Sequence, residues 1–304
     1  MKEGDSGQGL LAPEWRRWLV ENLLRGTHEA ELLAVLTGAG VDSERARAAV
    51  RAESEDPIFL GASKALAYQR KLEGLFDLYG DLYRQGEGHA TVDRHEALPA
   101  EDFFARYYFL NKPVVVRGAV VDSAEAASWA PERLIARLVE DRLWLAEGAA
   151  QPRTACVPLL EHASLRTLAD SLRPPATYVP ADVHASTPRL WVEGVGALLP
   201  RRPARANVLL CQVRGRRRLQ LIPAFELRRM VRDTEDADGV LRLEVEVGPG
   251  DMLLLPVGWW HGHSAVESGV AVSFESFAAP RPNTPWTPDG EELEPTPPPR
   301  TRAG

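Results

Sequence analysis

Hydrophobic residues recur in two rhythms along this chain, and the change of rhythm divides it. From Pro13 the spacing is helical. PEWRRWLVENLLR sets Trp15, Trp18, Leu19, Leu23 and Leu24 near one stripe, with proline at a helix start. Two shorter amphipathic segments follow, HEAELLAVLTGAG, which ends in glycine, and DSERARAAVRAES, which opens on Asp42 and Ser43 as cap candidates. From about Ser63 to Gln85 a longer helical pattern places Leu72, Leu75, Phe76, Tyr79, Leu82 and Tyr83 on a stripe expected to be core or a dimer interface. Residues 11–88 are expected to form a small helical module, preceded by a Gly-rich, polar and unordered stretch at 1–10.

Residues 89–100 form a polar linker in which His89 and His95 are expected to be solvated. After a short helix, AEDFFARYYFL, the rhythm becomes that of strands: VVVRG, LWLAEG, RLWVEGVG, NVLLCQV, RRLQLIP, RLEVEVG, DMLLLP and VAVSFESF. Glycine and proline turns separate them, with helical stretches at 131–140 and 164–172. Many short strands without alternating helices predict an α+β chain whose 101–279 segment is a β-barrel or sandwich. The 280–304 tail is Pro-rich and acidic and is expected to be extended or disordered.

Composition narrows the picture. A chain of 304 residues with 44% hydrophobic content can bury a sizeable core. Its formal charge of -7 argues against bulk nucleic-acid binding. No apolar run approaches a membrane span and the first residues lack the apolar core of a signal peptide, so cytoplasmic residence is expected. Two cysteines, Cys156 and Cys211, are too few for a disulfide framework or a thiolate metal site. There is no nucleophile elbow, phosphate loop or dinucleotide fingerprint.

Candidate chemistry centres on Gly250 to His261, GDMLLLPVGWWH, in which Met252 to Leu255 make a strand and His261 follows between bulky neighbours at its end. Neighbours of that kind can hold an imidazole for a metal. Taken in order, FFARYYFLNKPVVVRG, NVLLCQVRGRRRLQLIP and GDMLLLPVGWWH resemble the cupin-like, JmjC-type branch of the iron(II)- and 2-oxoglutarate-dependent oxygenases, from about Ala100 to Phe277. The helical N-terminus resembles that of a bacterial subgroup. The resemblance implies a double-stranded β-helix, the cupin or jelly-roll barrel, with the reactive centre in its mouth. It also implies a facial triad of two His and one carboxylate on iron. His261 matches the distal His.

Arg217 stands where the family has a Lys that grips the far carboxylate of the oxoacid, and guanidinium suits that task. Strand parity places Arg217 with Leu219 and Leu221 on the core face. Tyr178, Asn207 and Ser276 match positions that the resemblance associates with the cofactor, Ser276 replacing an Asn. The His-any-Asp motif is absent. Arg202 occupies its His position and Ala204 its Asp position; anchoring on Asn207 instead puts Arg201 and Pro203 there. Asp182-Val183-His184 has the right residue types in reversed order. A guanidinium ~4 Å from a divalent ion would repel it by roughly 8 kcal/mol at an effective dielectric of about 20.

Three functions stay open. One is a JmjC-like protein that has lost iron and its cofactors and acts as a non-catalytic binding or scaffold module. Another is an iron(II)- and 2-oxoglutarate-dependent hydroxylase of a protein or small-molecule side chain with an atypical metal site. In the third, the seven arginines at 201, 202, 205, 214, 216, 217 and 218 hold an anionic ligand at the mouth. The bland alternative for most of these arginines is pairing with Glu193, Glu244 or Glu246. The expected partners are a small anion or a protein, with homodimerisation and without nucleic acid or membrane.

Overall fold

The computed structural model describes residues 11–121, 125, 127–143, 154–230 and 239–287. Residues 1–10, most of the LWLAEG segment and the tail from 288 onward lie outside the described residues. The chain divides into two compact units, Met1–Tyr79 and Gly80–Gly304, a boundary that falls inside a helix ahead of the 89–100 stretch. Among the described residues no helix is long and apolar enough to cross a membrane.

In the first unit, α1 (Pro13–Arg25), α2 (Glu29–Gly38) and α3 (Ser43–Glu55) bury Leu19, Leu32, Leu36, Ala46, Ala49 and Val50 as a small core, with Trp15, Trp18 and Leu23 packed at its edge. Asp42 caps α3, its carboxylate accepting the backbone N–H groups of Glu44 and Arg45 at 3.0 and 3.1 Å. Replacing Asp42 with alanine strands those donors and is expected to cost ~1 kcal/mol of this unit's stability, measurable as a lower thermal midpoint. The long helix α4 (Pro57–Gln85) departs from the core alternative expected for its stripe. Leu72, Leu75, Tyr79 and Leu82 are exposed on it rather than in a core, while Phe76 and Tyr83 are half-buried.

The second unit is a double-stranded β-helix of two sheets. The larger contains β1 (Asp93–His95), β2 (Val114–Arg117), β3 (Thr154–Pro158), β4 (Arg189–Glu193), β6 (Val208–Arg214), β9 (Asp251–Leu255) and β11 (Gly269–Phe274) in the order β1-β2-β9-β6-β11-β4-β3. The smaller contains β5 (Leu198–Pro203), β7 (Arg217–Ile222), β8 (Leu243–Val247) and β10 (Trp260–Ala265) in the order β5-β10-β7-β8. Every neighbouring pair is antiparallel except β1 with β2. The apolar faces of the two sheets make the core: Leu210, Leu253 and Leu255 come from one sheet, Leu219, Leu221 and Val245 from the other. Gly215 makes the β6–β7 turn possible. It sits at φ +66°, and a Cβ there would lie 2.2 Å from the carbonyl oxygen of Ser268.

Three expectations change at this level. The 89–100 stretch is not a plain linker, since Asp93–His95 pairs with β2, and His95 Nε2 lies 2.7 Å from the Tyr107 hydroxyl instead of in solvent. Leu198–Pro203, whose Leu-Leu-Pro-Arg-Arg-Pro lacks β-formers and carries two prolines, is nevertheless an edge strand, where a missing N–H is tolerated. His261 does not end the Met252–Leu255 strand: Pro256 to Trp259 turn the chain into the other sheet, and His261 is the second residue of β10.

Candidate functional site

Between the sheets lies a cavity of about 740 Å³. One wall comes from β3, β4, β6 and β11, the other from β5, β7 and β10. Period-two alternation decides which side chains enter. On β10 it brings both His261 and His263 inward; on β4, Arg189 and Trp191; on β7, Arg217 and Leu219.

Backbone pairing fixes what stands opposite His261. Ala204 donates its N–H to the Trp259 carbonyl at 2.8 Å and accepts the Gly258 N–H at 2.8 Å, which ties the end of β5 to the start of β10. In the ladder that follows, His261 faces Arg202. Arg201 turns away, its guanidinium donating to Gln220 Oε1 at 2.6 Å. Arg202, and not Arg201, is therefore the residue that stands opposite His261. Trp259, 1% exposed, anchors the preceding turn by donating its indole N–H to the Asn111 carbonyl and side-chain oxygens at 2.9 and 2.7 Å.

His261 is buried, and its Nδ1 has no hydrogen-bond partner. Burial, and then the charge of Arg202, push its pKa down to about 4, so the ring is neutral at pH 7. A facial triad needs three converging donors. Across from the neutral His261 imidazole, the end of β5 offers a guanidinium at Arg202 and a methyl group at Ala204. Among the described residues no three His, Cys, Asp or Glu side chains converge as a metal ion requires.

Arg217 is buried, as strand parity predicts, with 1% exposure. Its guanidinium does not project freely into the cavity: Nη2 lies 3.3 Å from Glu193 Oε2, and Glu193 is equally buried. The other carboxylate oxygen of Glu193 bonds His263 Nε2. Burial works to raise the Glu193 pKa, but the His263 bond and the Arg217 charge outweigh it and hold the carboxyl below its ordinary range. The position expected to grip an oxoacid thus carries an internal ion pair. Arg217 still holds Nε and Nη2 without hydrogen bonds.

Tyr178, Asn207 and Ser276 do not line the cavity. The Tyr178 hydroxyl donates to the Leu98 carbonyl at 2.6 Å and its ring stacks on Phe103 with centroids 4.2 Å apart. Asn207 accepts the Val257 N–H at 2.9 Å and bonds Asn283, fastening the turn that precedes β10. Ser276 lies 3.3 Å from the Thr187 hydroxyl. Asp182 is spent on capping Val183–Ser186, accepting the N–H groups of His184 and Ala185.

Two residues of the site lie outside the motif: His263, in the cavity wall, and Glu193, which bonds it. His263 has a signal of its own, since His261-Gly262-His263 on any strand sets both rings on one face. Glu193 shares a face with Arg189 and Trp191 by the same rule, but only the fold brings it to Arg217. Outside the cavity, Arg216 pairs with Glu267 at 2.7 Å and with Glu246 at 3.3 Å, and Arg218 with Glu246 at 3.4 Å, as exposed ion pairs do. The cavity itself is lined by four arginines, at 189, 202, 205 and 217, and one glutamate, Glu275, while Glu193 reaches it only through its partners Arg217 and His263.

Residues 204–284 match the family model of the JmjC domain. Similar solved structures include the ribosomal oxygenase YcfD from Escherichia coli in complex with cobalt and succinic acid, with 18% identity, a TM-score of 0.40 and coverage of 62% of this chain and 53% of that one. Another crystal structure of the same ribosomal oxygenase gives 19% identity, a TM-score of 0.41 and coverage of 61% and 53%. This chain therefore spans about half the length of those proteins. No curated protein matches it. The two facing sheets in this strand order make a cupin-like, jelly-roll fold, and residues 204–284 of it are the part that matches the JmjC domain model.

Proposed function

We propose that the barrel is a non-catalytic binding module that has lost its iron site and takes a small anion in its cavity. One observation carries this: Arg202 faces His261 across the β5–β10 ladder, with Ala204 beside it, where two further metal ligands would have to stand. A cation sits where a cation would need to bind. The same substitution that disfavours a metal favours a carboxylate or phosphate, because a guanidinium accepts two oxygens at once. Arg189 adds to this at the cavity wall, its Nε lying 3.4 Å from the Cys156 thiol, which offers only a weak acceptor. Glu193 cancels Arg217 further in, so Arg202 and Arg189 are the groups that would receive the ligand.

Thermal unfolding with phosphate, citrate and 2-oxoglutarate, each tested alone, checks this. A ligand at 100 times its Kd stabilises by about 2.7 kcal/mol. At least one anion is expected to raise the midpoint, and Arg202→Ala to abolish the rise. Elemental analysis of protein made with iron or manganese is expected to show far less than one equivalent. Stoichiometric metal that His261→Ala removes, together with oxygen-dependent turnover of 2-oxoglutarate to succinate, would establish the hydroxylase instead.

A further inference from the structure

The helix α4 carries an apolar series that the cavity does not explain. Ile58, Gly61, Ala65, Tyr68, Leu72, Leu75 and Tyr79 are spaced alternately by three and four residues, which is the 3.5-residue period of a helix that pairs with another helix. Every one of them is exposed: Tyr68 by 65%, Leu72 by 39%, Leu75 by 44% and Tyr79 by 55%. The neighbouring face, with Phe59, Leu66 and Phe76, is the half-buried one. A stripe of this length on the outer side of a helix has no role in the fold of its own unit, and a monomer would leave it in water.

We infer that α4 pairs antiparallel with α4 of a second copy of this chain, centred near Arg70. Two features select that occupant and that direction. The first is size. After Ile58 the stripe carries small residues, Gly61 and Ala65, and from Tyr68 onward large ones. An antiparallel copy sets Gly61 against Tyr79 and Ala65 against Leu75, so the outer layers join a small side chain to a large one, with Tyr68 against Leu72 at the centre. A parallel copy would set glycine on glycine at one end and tyrosine on tyrosine at the other, and the helices could not keep one separation of 8–10 Å, about the usual distance for packed helices.

The second feature is charge. Between Pro57 and Lys71 the helix holds Lys64, Arg70 and Lys71 and no acid, whereas Glu73 and Asp77 follow immediately. Antiparallel pairing brings Lys64 of each helix level with Asp77 of the other, with Arg70 and Lys71 at the centre, whereas parallel pairing would set every charge level with its own copy. The stripe from Gly61 to Tyr79 is about 27 Å long at a rise of ~1.5 Å per residue, ample for several interlocking layers.

Sedimentation of the full chain at micromolar concentration is expected to give twice the 33.5 kDa of one chain. The Leu72→Glu/Leu75→Glu variant is expected to halve that mass with its far-UV circular dichroism unchanged, since both side chains are exposed. Direction and contact are read separately by cysteine cross-linking in a Cys156→Ala background. A mixture of Ala65→Cys and Leu75→Cys chains is expected to form a disulfide-linked pair, and Ala65→Cys alone to form none. A parent chain of single mass, a dimer that survives Leu72→Glu/Leu75→Glu, or cross-linking of Ala65→Cys with itself would each overturn the pairing.

Discussion

Replacing Arg217 with methionine is expected to remove about 3–5 kcal/mol of stability from the barrel, because it leaves the Glu193 carboxylate buried without its cation. The side chains are of similar length, so little packing is lost and the cost is electrostatic. Changing Glu193 to glutamine in the same molecule is expected to recover most of it. The amide oxygen can still accept from His263 where the carboxylate does now, and the buried charge is gone. Urea denaturation of the two single variants and the double variant forms a cycle in which the coupling should exceed 2 kcal/mol in magnitude, roughly the upper range for residues in one network. Equal losses that simply add would show that Arg217 and Glu193 do not depend on each other. The cycle also separates stability from ligand binding, which Arg202→Ala tests without touching the buried pair.

A second large effect follows from His261, whose pKa is pushed down to about 4 in the folded chain. In the unfolded chain the ring titrates near 6.5, its ordinary value. Between those two values the unfolded state binds a proton that the folded state refuses, so stability falls as pH drops from about 6.5 toward 4 and gains nothing further from this group below that. The difference amounts to ~3 kcal/mol across the window. Glu193 acts lower: its depressed carboxyl stabilises the fold above its unfolded pKa and loses that effect only as the folded form protonates. Unfolding free energies measured from pH 7 to pH 4 in the parent and in His261→Gln are expected to show a flatter dependence in the variant. Arg202→Ala should flatten it partly, since burial is the larger cause and Arg202 the next. An identical slope in all three would mean that His261 titrates normally.

Much of the barrel was legible because its strands alternate. The parity of Arg217, Leu219 and Leu221 placed the arginine inward, and the GDMLLLP and NVLLCQV runs became the paired central strands β9 and β6. What stayed hidden depends on partners far away in sequence. Leu198–Pro203 has no strand propensity and exists as a strand only because β10 offers it hydrogen bonds. The Arg217–Glu193 pair joins two sheets, so the sequence could offer Glu193 as a partner for these arginines without showing that the buried Arg217 is the one it meets. Tyr178 and Asn207 matched a motif by position, yet their polar atoms are spent on Leu98, Val257 and Asn283. In α4 the helical period was plain, but a period of 3.5 or 3.6 residues says nothing about whether the stripe meets its own chain or another.

Glu193 also sets a direction inside the barrel. Its carboxylate cancels Arg217 at the closed end, while Arg202, which is exposed, and Arg189, which is half-buried, keep their charge toward the opening. Leu210, Leu219 and Leu255 line the cavity without any charge of their own. If the cavity takes an anion as proposed, one with an apolar body would settle with its charged head at the exposed Arg202 and its body against these leucines, so selection would fall on the shape of the buried part.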